Sequence, residues 1–273
     1  MTFSIVARSA DGESWGVAVA SKFLGVGSVV PAAVAGVGAV ATQAWANVAY
    51  KGLALAHLDD GATAPVALQR LLEEDDGREH RQVGIVDIDG GSASHTGSAC
   101  LPWAGGRTGA GYAIQGNILT GPEVVEAMES AWLESDPGLP LERRLLAALA
   151  AGDRAGGDSR GRQSAALFVV REGAGYDGGD DVAVDLRVDD ASAPIPELER
   201  LLDLHVLYLT ASTEEEKVAI TPEIEADLEA FAAAQGRPDF RAWVGAENYE
   251  MRVADDLSWI DEKILAIVRS GAS

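Results

Sequence analysis

A threonine directly after the initiator is a hydroxyl nucleophile that carries its own base once the peptide bond before it is cut. Removal of Met1, usual ahead of a small second residue, frees the Thr2 α-amine, whose ordinary pKa of about 8 leaves much of it able to accept a proton near neutrality. An amine-activated threonine is an established form of nucleophilic catalysis. The plainer reading of Met1-Thr2 is a start residue followed by an ordinary strand residue. Phe3, Ile5 and Ala7 alternate with Thr2, Ser4 and Val6, the period of a strand with two distinct faces. Asp11-Gly12 is a turn signal, so the return segment over residues 15–22 ends beside Thr2 and makes Ser21 and Lys22 its cross-strand neighbours. A one-residue slip in register exchanges which of the two shares its face.

Two further groups of residues suit the same chemistry. Gly156-Gly-Asp-Ser-Arg-Gly-Arg-Gln-Ser164 gathers Asp158, Arg160, Arg162 and Ser164 at the mouth of a predicted core strand. Arginine forks hold carboxylates bidentately, so this loop reads either as a clamp for an acidic substrate group or as a structural loop whose arginines pair with local aspartates. Asn117, in Gln115-Gly116-Asn117, has the amide of an oxyanion donor, and a turn-forming Gly-Asn is the alternative. Gly36-Val-Gly-Ala-Val-Ala41 fits a lax dinucleotide fingerprint but runs on into a β-like segment. His57, His80, His95 and His205 lack ligand spacing, and Asp87 and Asp89 fit a hairpin turn, so no metal site is expected. The G-x-S-x-G elbow, the H-E-x-x-H motif and the P-loop are absent from the sequence.

The 273 residues, 47% of them apolar, suit one large domain with a small appendage. A net charge of -22, with four lysines against seventeen arginines, argues against nucleic acid and anionic membranes as partners. The single cysteine, Cys100, excludes an internal disulfide and a cysteine metal cluster within the chain. Residues 23–50 carry no formal charge and are long enough to span a bilayer. Pro31 and Gly25, Gly27, Gly36 and Gly38 interrupt them, however, which suits two short buried strands better than a spanning helix. Neither a basic segment nor an early apolar run opens the chain, so a cytoplasmic protein is expected.

Strands are expected over residues 25–30, 37–43, 82–87, 92–96, 112–117, 163–171 and 182–188. Helices are expected over 50–59, 64–74, 123–134 and 139–151. Paired helices between groups of strands favour a layered α+β protein over a doubly wound one. Residues 191–196 read as a linker to an all-helical remainder, with helices over 198–209, 222–235, 239–244 and 259–270.

Eight ordered blocks carry a resemblance: Thr2-Phe-Ser-Ile-Val-Ala-Arg8, Gly16-Val-Ala-Val-Ala-Ser-Lys22, Gly36-Val-Gly-Ala-Val-Ala-Thr-Gln43, Arg81-Gln-Val-Gly84, Thr96-Gly97, Gln115-Gly-Asn117, Gly121-Pro-Glu-Val-Val-Glu-Ala-Met128 and Gly156-Gly-Asp-Ser-Arg-Gly-Arg-Gln-Ser-Ala-Ala166. Over about residues 1–210 the chain closely resembles the domain of unknown function 1028 family, which looks like a member of the N-terminal nucleophile (Ntn) hydrolase superfamily. Phe240-Arg-Ala-Trp-Val244, Glu247-Asn248, Arg252 and Ile260-Asp261 resemble a small peptidoglycan-binding-like domain that often follows this family. A protein without a signal would not meet a cell wall, so a docking or dimerisation role is the better expectation for that tail.

The resemblance implies a four-layer αββα sandwich of the Ntn type over residues 1–195 and a helical domain over 196–273. It places Thr2 as the nucleophile, activated by loss of Met1 alone, with Ser21 and Lys22 among its polar neighbours. The expected activity is hydrolysis of an amide bond in a small molecule or short peptide, without a cofactor. Lys22 would favour the neutral amine by like-charge repulsion. Asn117 would donate to the oxyanion, Gln43 and Asn47 would line the pocket, and Arg160 or Arg162 would orient an acidic substrate. The alternatives are a non-catalytic binding or assembly module of the same fold, and a hydrolase using Ser164 or Ser21. An exposed strand edge or the C-terminal helices would offer a surface for a homodimer.

Overall fold

The computed structural model describes residues 2–271, and Met1, on which the freeing of the Thr2 amine turns, lies outside them. β1 (Thr2–Arg8) and β2 (Ser14–Ser21) form the expected antiparallel hairpin, with Phe3 opposite Ala20 and Arg8 opposite Trp15. Gly12 takes φ +78 in the connecting turn, a conformation a side chain would strain, and the Asp11 carboxylate accepts the Glu13 N–H at 3.0 Å. Both strands are almost wholly buried, so the alternation along them separates two covered faces and not a wet face from a dry one.

After the hairpin the chain forms the short helix α1 (Val26–Val29), β3 (Pro31–Val34), β4 (Gly38–Ala44), α2 (Ala49–Asp59) and α3 (Ala64–Glu73). The strand expected over 25–30 is therefore replaced by α1. Gly25 turns the chain at φ +61, and Pro31, which cannot donate to a ladder from a strand interior, opens the next strand instead. The other elements of the first unit are β5 (Arg81–Asp87), β6 (Ser92–Thr96), β7 (Gly105–Gly109), β8 (Tyr112–Asn117), α4 (Glu123–Glu134), α5 (Leu141–Arg154), β9 (Ser164–Arg171) and β10 (Val182–Val188).

Two sheets result, one in the order β10-β9-β2-β1-β8-β7 and one in the order β3-β4-β5-β6, and every pairing in them is antiparallel. Val6, Val17, Val19, Ala39, Ala41, Val86 and Ala113 pack between them as one buried cluster. On the far side of the four-stranded sheet, Val40, Val83 and Ile85 meet Tyr50, Ala54, Leu58, Leu68 and Leu71 of α2 and α3. On the far side of the six-stranded sheet, α5 lies on β1 and β2, and a Cβ at Gly16 would come within 2.8 Å of Leu145 Cδ1. The chain is thus a mixed α+β protein built on antiparallel sheets and helices.

Chain contacts divide the protein into residues up to Arg200 and residues from Leu201 onward. The boundary falls inside α6 (Pro194–Leu209), so the segment expected as a linker over 191–196 already contains the start of a helix. In the second unit, β11 (Lys217–Ala219), α7 (Pro222–Ala234), α8 (Phe240–Glu247), β12 (Trp259–Asp261) and α9 (Glu262–Ser270) follow in order. β11 and β12 pair antiparallel, so this unit is not all-helical, and the helix expected from residue 259 starts only after the Asp261 carboxylate caps it through the Lys263 N–H at 2.8 Å. Its core combines aliphatic side chains with an aromatic cluster, in which Phe231 is edge-on to Trp243 at 5.1 Å and Phe240 is stacked on the same ring at 5.3 Å. Among the described residues, no helix is long and apolar enough to cross a membrane.

Candidate functional site

The inner faces of the two sheets change character along their length. At one end they carry the valines and alanines of the core. At the other they carry Thr2, Ser4, Ser21, Gln43, Gln82, Gln115 and Asn117, all buried. Strand period and antiparallel register produce this, because Thr2 pairs with Asn117 and Ser4 with Gln115 across β1 and β8, while Gln43 pairs with Gln82 across β4 and β5.

Most of these polar groups satisfy one another. Gln43 Nε2 donates to Gln82 Oε1 at 2.8 Å and to the Thr2 carbonyl at 3.2 Å, while its Oε1 accepts from Ser4 Oγ at 2.7 Å. Gln115 Nε2 donates to Ser4 Oγ at 2.6 Å, and Gln82 Nε2 to the Gly116 carbonyl at 2.7 Å. Asn117 Nδ2 donates to Gln82 Oε1 at 2.9 Å and to the Thr2 carbonyl at 3.4 Å. The Thr2 backbone is therefore held by two side-chain amides, and the Thr2 hydroxyl stands 3.2 Å from Ser21 Oγ. Register settles the choice between Ser21 and Lys22 in favour of Ser21 as the residue on the threonine's face.

Gln115 Oε1 is buried without a hydrogen-bond partner. A Cβ on Gly84 would stand 2.1 Å from that oxygen, so the glycine makes the room the amide occupies. Gly84→Ala is expected to destabilise the protein by about 1–3 kcal/mol through overpacking, read as a lower urea midpoint; an unchanged midpoint would mean that Gln115 has space to move.

The other residues singled out from sequence fall into two groups. Ser21, Asp158, Arg162 and Ser164 line one small cleft together with Phe3 and Asp153. The buried Asp158 carboxylate accepts the Lys22 N–H at 2.7 Å and the Arg160 N–H at 2.9 Å, with Arg160 Nη2 at 3.3 Å. Arg162 Nε donates to Asp153 at 2.7 Å, and Lys22 Nζ to the Arg162 carbonyl at 3.3 Å. Both arginines thus pair with local aspartates. Ser164 Oγ donates to the Phe23 carbonyl at 2.5 Å and accepts the Val26 N–H at 3.1 Å, which pins the turn after β2.

Asn47 belongs elsewhere. Its amide donates to Asp75 Oδ2 at 3.2 Å, alongside Tyr50 Oη at 2.8 Å and Arg81 Nε at 2.9 Å. Arg81 also holds the Trp45 carbonyl at 2.6 Å, so the cluster fixes the loop that follows Gln43. The Arg81 hydrogen bond, then those from Tyr50, the Gly77 N–H and Asn47, hold the Asp75 carboxyl well below the usual carboxylate range, while burial and the Asp75 contact push the Tyr50 phenol up. Folding lowers this carboxyl's pKa, so its contribution is complete above the ordinary value of about 4 and is lost as pH falls below it. Asp75→Asn is expected to cost about 1–3 kcal/mol at pH 7, with the difference from the parent shrinking in urea titrations below pH 4.

The chain matches the family of unknown function DUF1028 over residues 2–198. It belongs to DUF1028. A crystal structure of another DUF1028 protein, SPO2555 from Silicibacter pomeroyi, is 34% identical, with a TM-score of 0.68 over 75% of this chain and 89% of that one. Two Anbu structures are also similar. A Gly-1 mutant from Hyphomicrobium sp. strain MC1 is 10% identical, covering 76% of this chain and 96% of that one at a TM-score of 0.35. The ancestral beta-subunit from Yersinia bercovieri is 11% identical, covering 75% and 96% at 0.34. No curated protein matches the chain.

Ser4, Gln82 and Gln115 are the members of the polar group that residue-by-residue reasoning on the sequence did not single out as site residues. Their signal was an amide or hydroxyl at alternate positions of strongly apolar strands, where a buried polar group requires a partner.

Proposed function

We propose that the first unit of this DUF1028 protein is an Ntn-type αββα sandwich that hydrolyses an amide bond in a small molecule or short peptide, with Thr2 as the nucleophile. The observation that carries the reading is the placement of Thr2: first residue of a central strand, 6% exposed, hydroxyl beside Ser21, carbonyl gripped by Gln43 and Asn117. Cleavage of the bond before Thr2 frees its α-amine. Thr2 Oγ1 then forms a bond to the substrate carbonyl carbon while the amine takes the hydroxyl proton. That proton passes to the leaving nitrogen as the C–N bond breaks, and water hydrolyses the ester to restore threonine.

Asn117 takes a positioning role in this scheme. Both amide hydrogens have acceptors in the Thr2 carbonyl and Gln82, so donation to an oxyanion would require giving one of them up. Lys22 acts through the Arg162 carbonyl it holds, and the half-exposed Arg160 and Arg162 remain at the entrance for an acidic substrate group. The non-catalytic reading draws on one observation, that Gln43, Gln82 and Asn117 are all committed to internal hydrogen bonds. Intact mass spectrometry of protein from its native host, combined with a panel of acylated amines and ureido acids, separates the two. A free Thr2 amine with turnover supports the hydrolase, and a blocked residue 2 sinks the mechanism.

A further inference from the structure

At the opposite end of β1 from Thr2, about 20 Å away at the strand rise per residue, lies a cavity of about 350 Å³ lined by Arg8, Ser9, Asp89, Trp132, Ser135 and Arg144, among others. Arg144 reaches it from α5 and is 94% buried, with 6% of its surface exposed. Its guanidinium carbon stands over the Trp132 ring, 3.8 Å from the centroid, with Nε donating to Ser135 Oγ at 2.8 Å and Nη2 to the Trp132 carbonyl at 3.2 Å. Arg8 stands over Trp15 at 5.7 Å, and its Nε is buried without a hydrogen-bond partner. Among the described residues, neither guanidinium forms an ion pair. Asp89 on the rim, Asp136 near Arg144 and Asp11 near Arg8 supply the surrounding negative charge.

Two arginines that face one cavity without carboxylate partners are unusual in energetic terms. Burying a cation without an opposite charge is costly, and the cost falls when an anion enters. Guanidinium forks match the planar or tetrahedral oxygens of a carboxylate or phosphate, and the flat aromatic beneath Arg144 fixes the direction of its fork. We propose that this cleft binds a small oxyanion between Arg8 and Arg144. The inference stands on the cavity and the two side chains alone and does not depend on chemistry at Thr2.

Isothermal titration of the full chain at low salt with inorganic phosphate, and separately with malonate, tests it. Saturable binding with a dissociation constant of about 1 mM or tighter is expected for at least one of them. Tighter binding of phosphate assigns a phosphorus oxyanion, and tighter binding of malonate assigns a carboxylate. Arg8→Gln should weaken binding at least tenfold, Arg8→Lys less, and the exposed Arg154→Gln should leave it unchanged. Arg8 is the residue to replace first, because Arg144 is buried and its loss risks the fold. Absence of saturable heat with both anions overturns the proposal, as does equal weakening by Arg8→Gln and Arg154→Gln.

Discussion

Thr2→Ala is expected to remove hydrolysis of any substrate the protein turns over, by roughly 10⁴-fold or more, while leaving the hairpin intact. The side chain is small and buried on the inner face, its hydroxyl stands 3.2 Å from Ser21 Oγ, and the carbonyl that Gln43 and Asn117 hold belongs to the backbone and survives the change. Loss of rate without loss of fold therefore reports chemistry. Thr2→Ser keeps a hydroxyl and an amine at the same atoms and should retain measurable turnover. The rate should rise with pH through the range of an α-amine, near pH 8, because only the neutral amine accepts the proton; a pH–rate profile of kcat/KM measures this. Unchanged turnover in Thr2→Ala moves the chemistry to Ser21, the nearest other hydroxyl. Ser164 is a poorer candidate, since its hydroxyl is spent on the Phe23 carbonyl and the Val26 N–H.

Sequence alone reaches the hairpin and the Ser21-Lys22 neighbours of Thr2 because both depend on short-range rules. Alternation along β1, the Asp11-Gly12 turn and an antiparallel return are enough to bring the Ser21-Lys22 end of β2 to Thr2. Lys22 stands level with Ser21 in the sequence because a hairpin's register depends on loop geometry that spacing does not settle. Asn47 was misplaced for a different reason. It follows Gln43 by four residues, yet Ala44 adopts φ +68 at the end of β4 and the chain leaves the sheet there, toward Asp75 and Arg81. The bonds from Gln43 and Gln82 to Ser4, Thr2, Gly116 and Asn117 stay hidden because they join strands of two sheets, a pairing no local pattern encodes. Over residues 25–30 the apolar run suggests a strand, but Gly25 and Pro31 bracket only one turn of helix.

Arg252→Met is expected to cost the second unit about 3–5 kcal/mol, the usual penalty for breaking a buried ion pair from one side. Arg252 is 1% exposed and Asp261 is fully buried, with Nη1 2.8 Å from Oδ2. The same guanidinium donates to the Leu207 carbonyl at 3.0 Å, to the Val206 carbonyl and to Thr210 Oγ1 at 2.9 Å, so it also satisfies the last turn of α6, whose carbonyls have no helical partner. Asp261 in turn accepts from Ser212 Oγ at 2.6 Å and caps α9. One substitution therefore leaves a buried carboxylate without its cation and the Leu207 carbonyl without the Arg252 donor, while Thr210 Oγ1 still serves the Val206 carbonyl at 2.7 Å. Removing both charges in Arg252→Met/Asp261→Leu should recover part of the loss, because the uncompensated carboxylate disappears while the Arg252 hydrogen bonds to the end of α6 stay lost. Glu216 adds a pH signature. Its hydrogen bond to Lys263 and the nearby Arg252 hold its carboxyl down to about 2. A depressed carboxyl contributes above its ordinary value, so this contribution is complete above about pH 4.5 and is lost as pH falls toward 2. Urea titration with hydrogen exchange of the β12 and α9 amides measures the effect, and a loss below about 1 kcal/mol in Arg252→Met would mean that the aromatic cluster around Trp243 holds this unit without the ion pair.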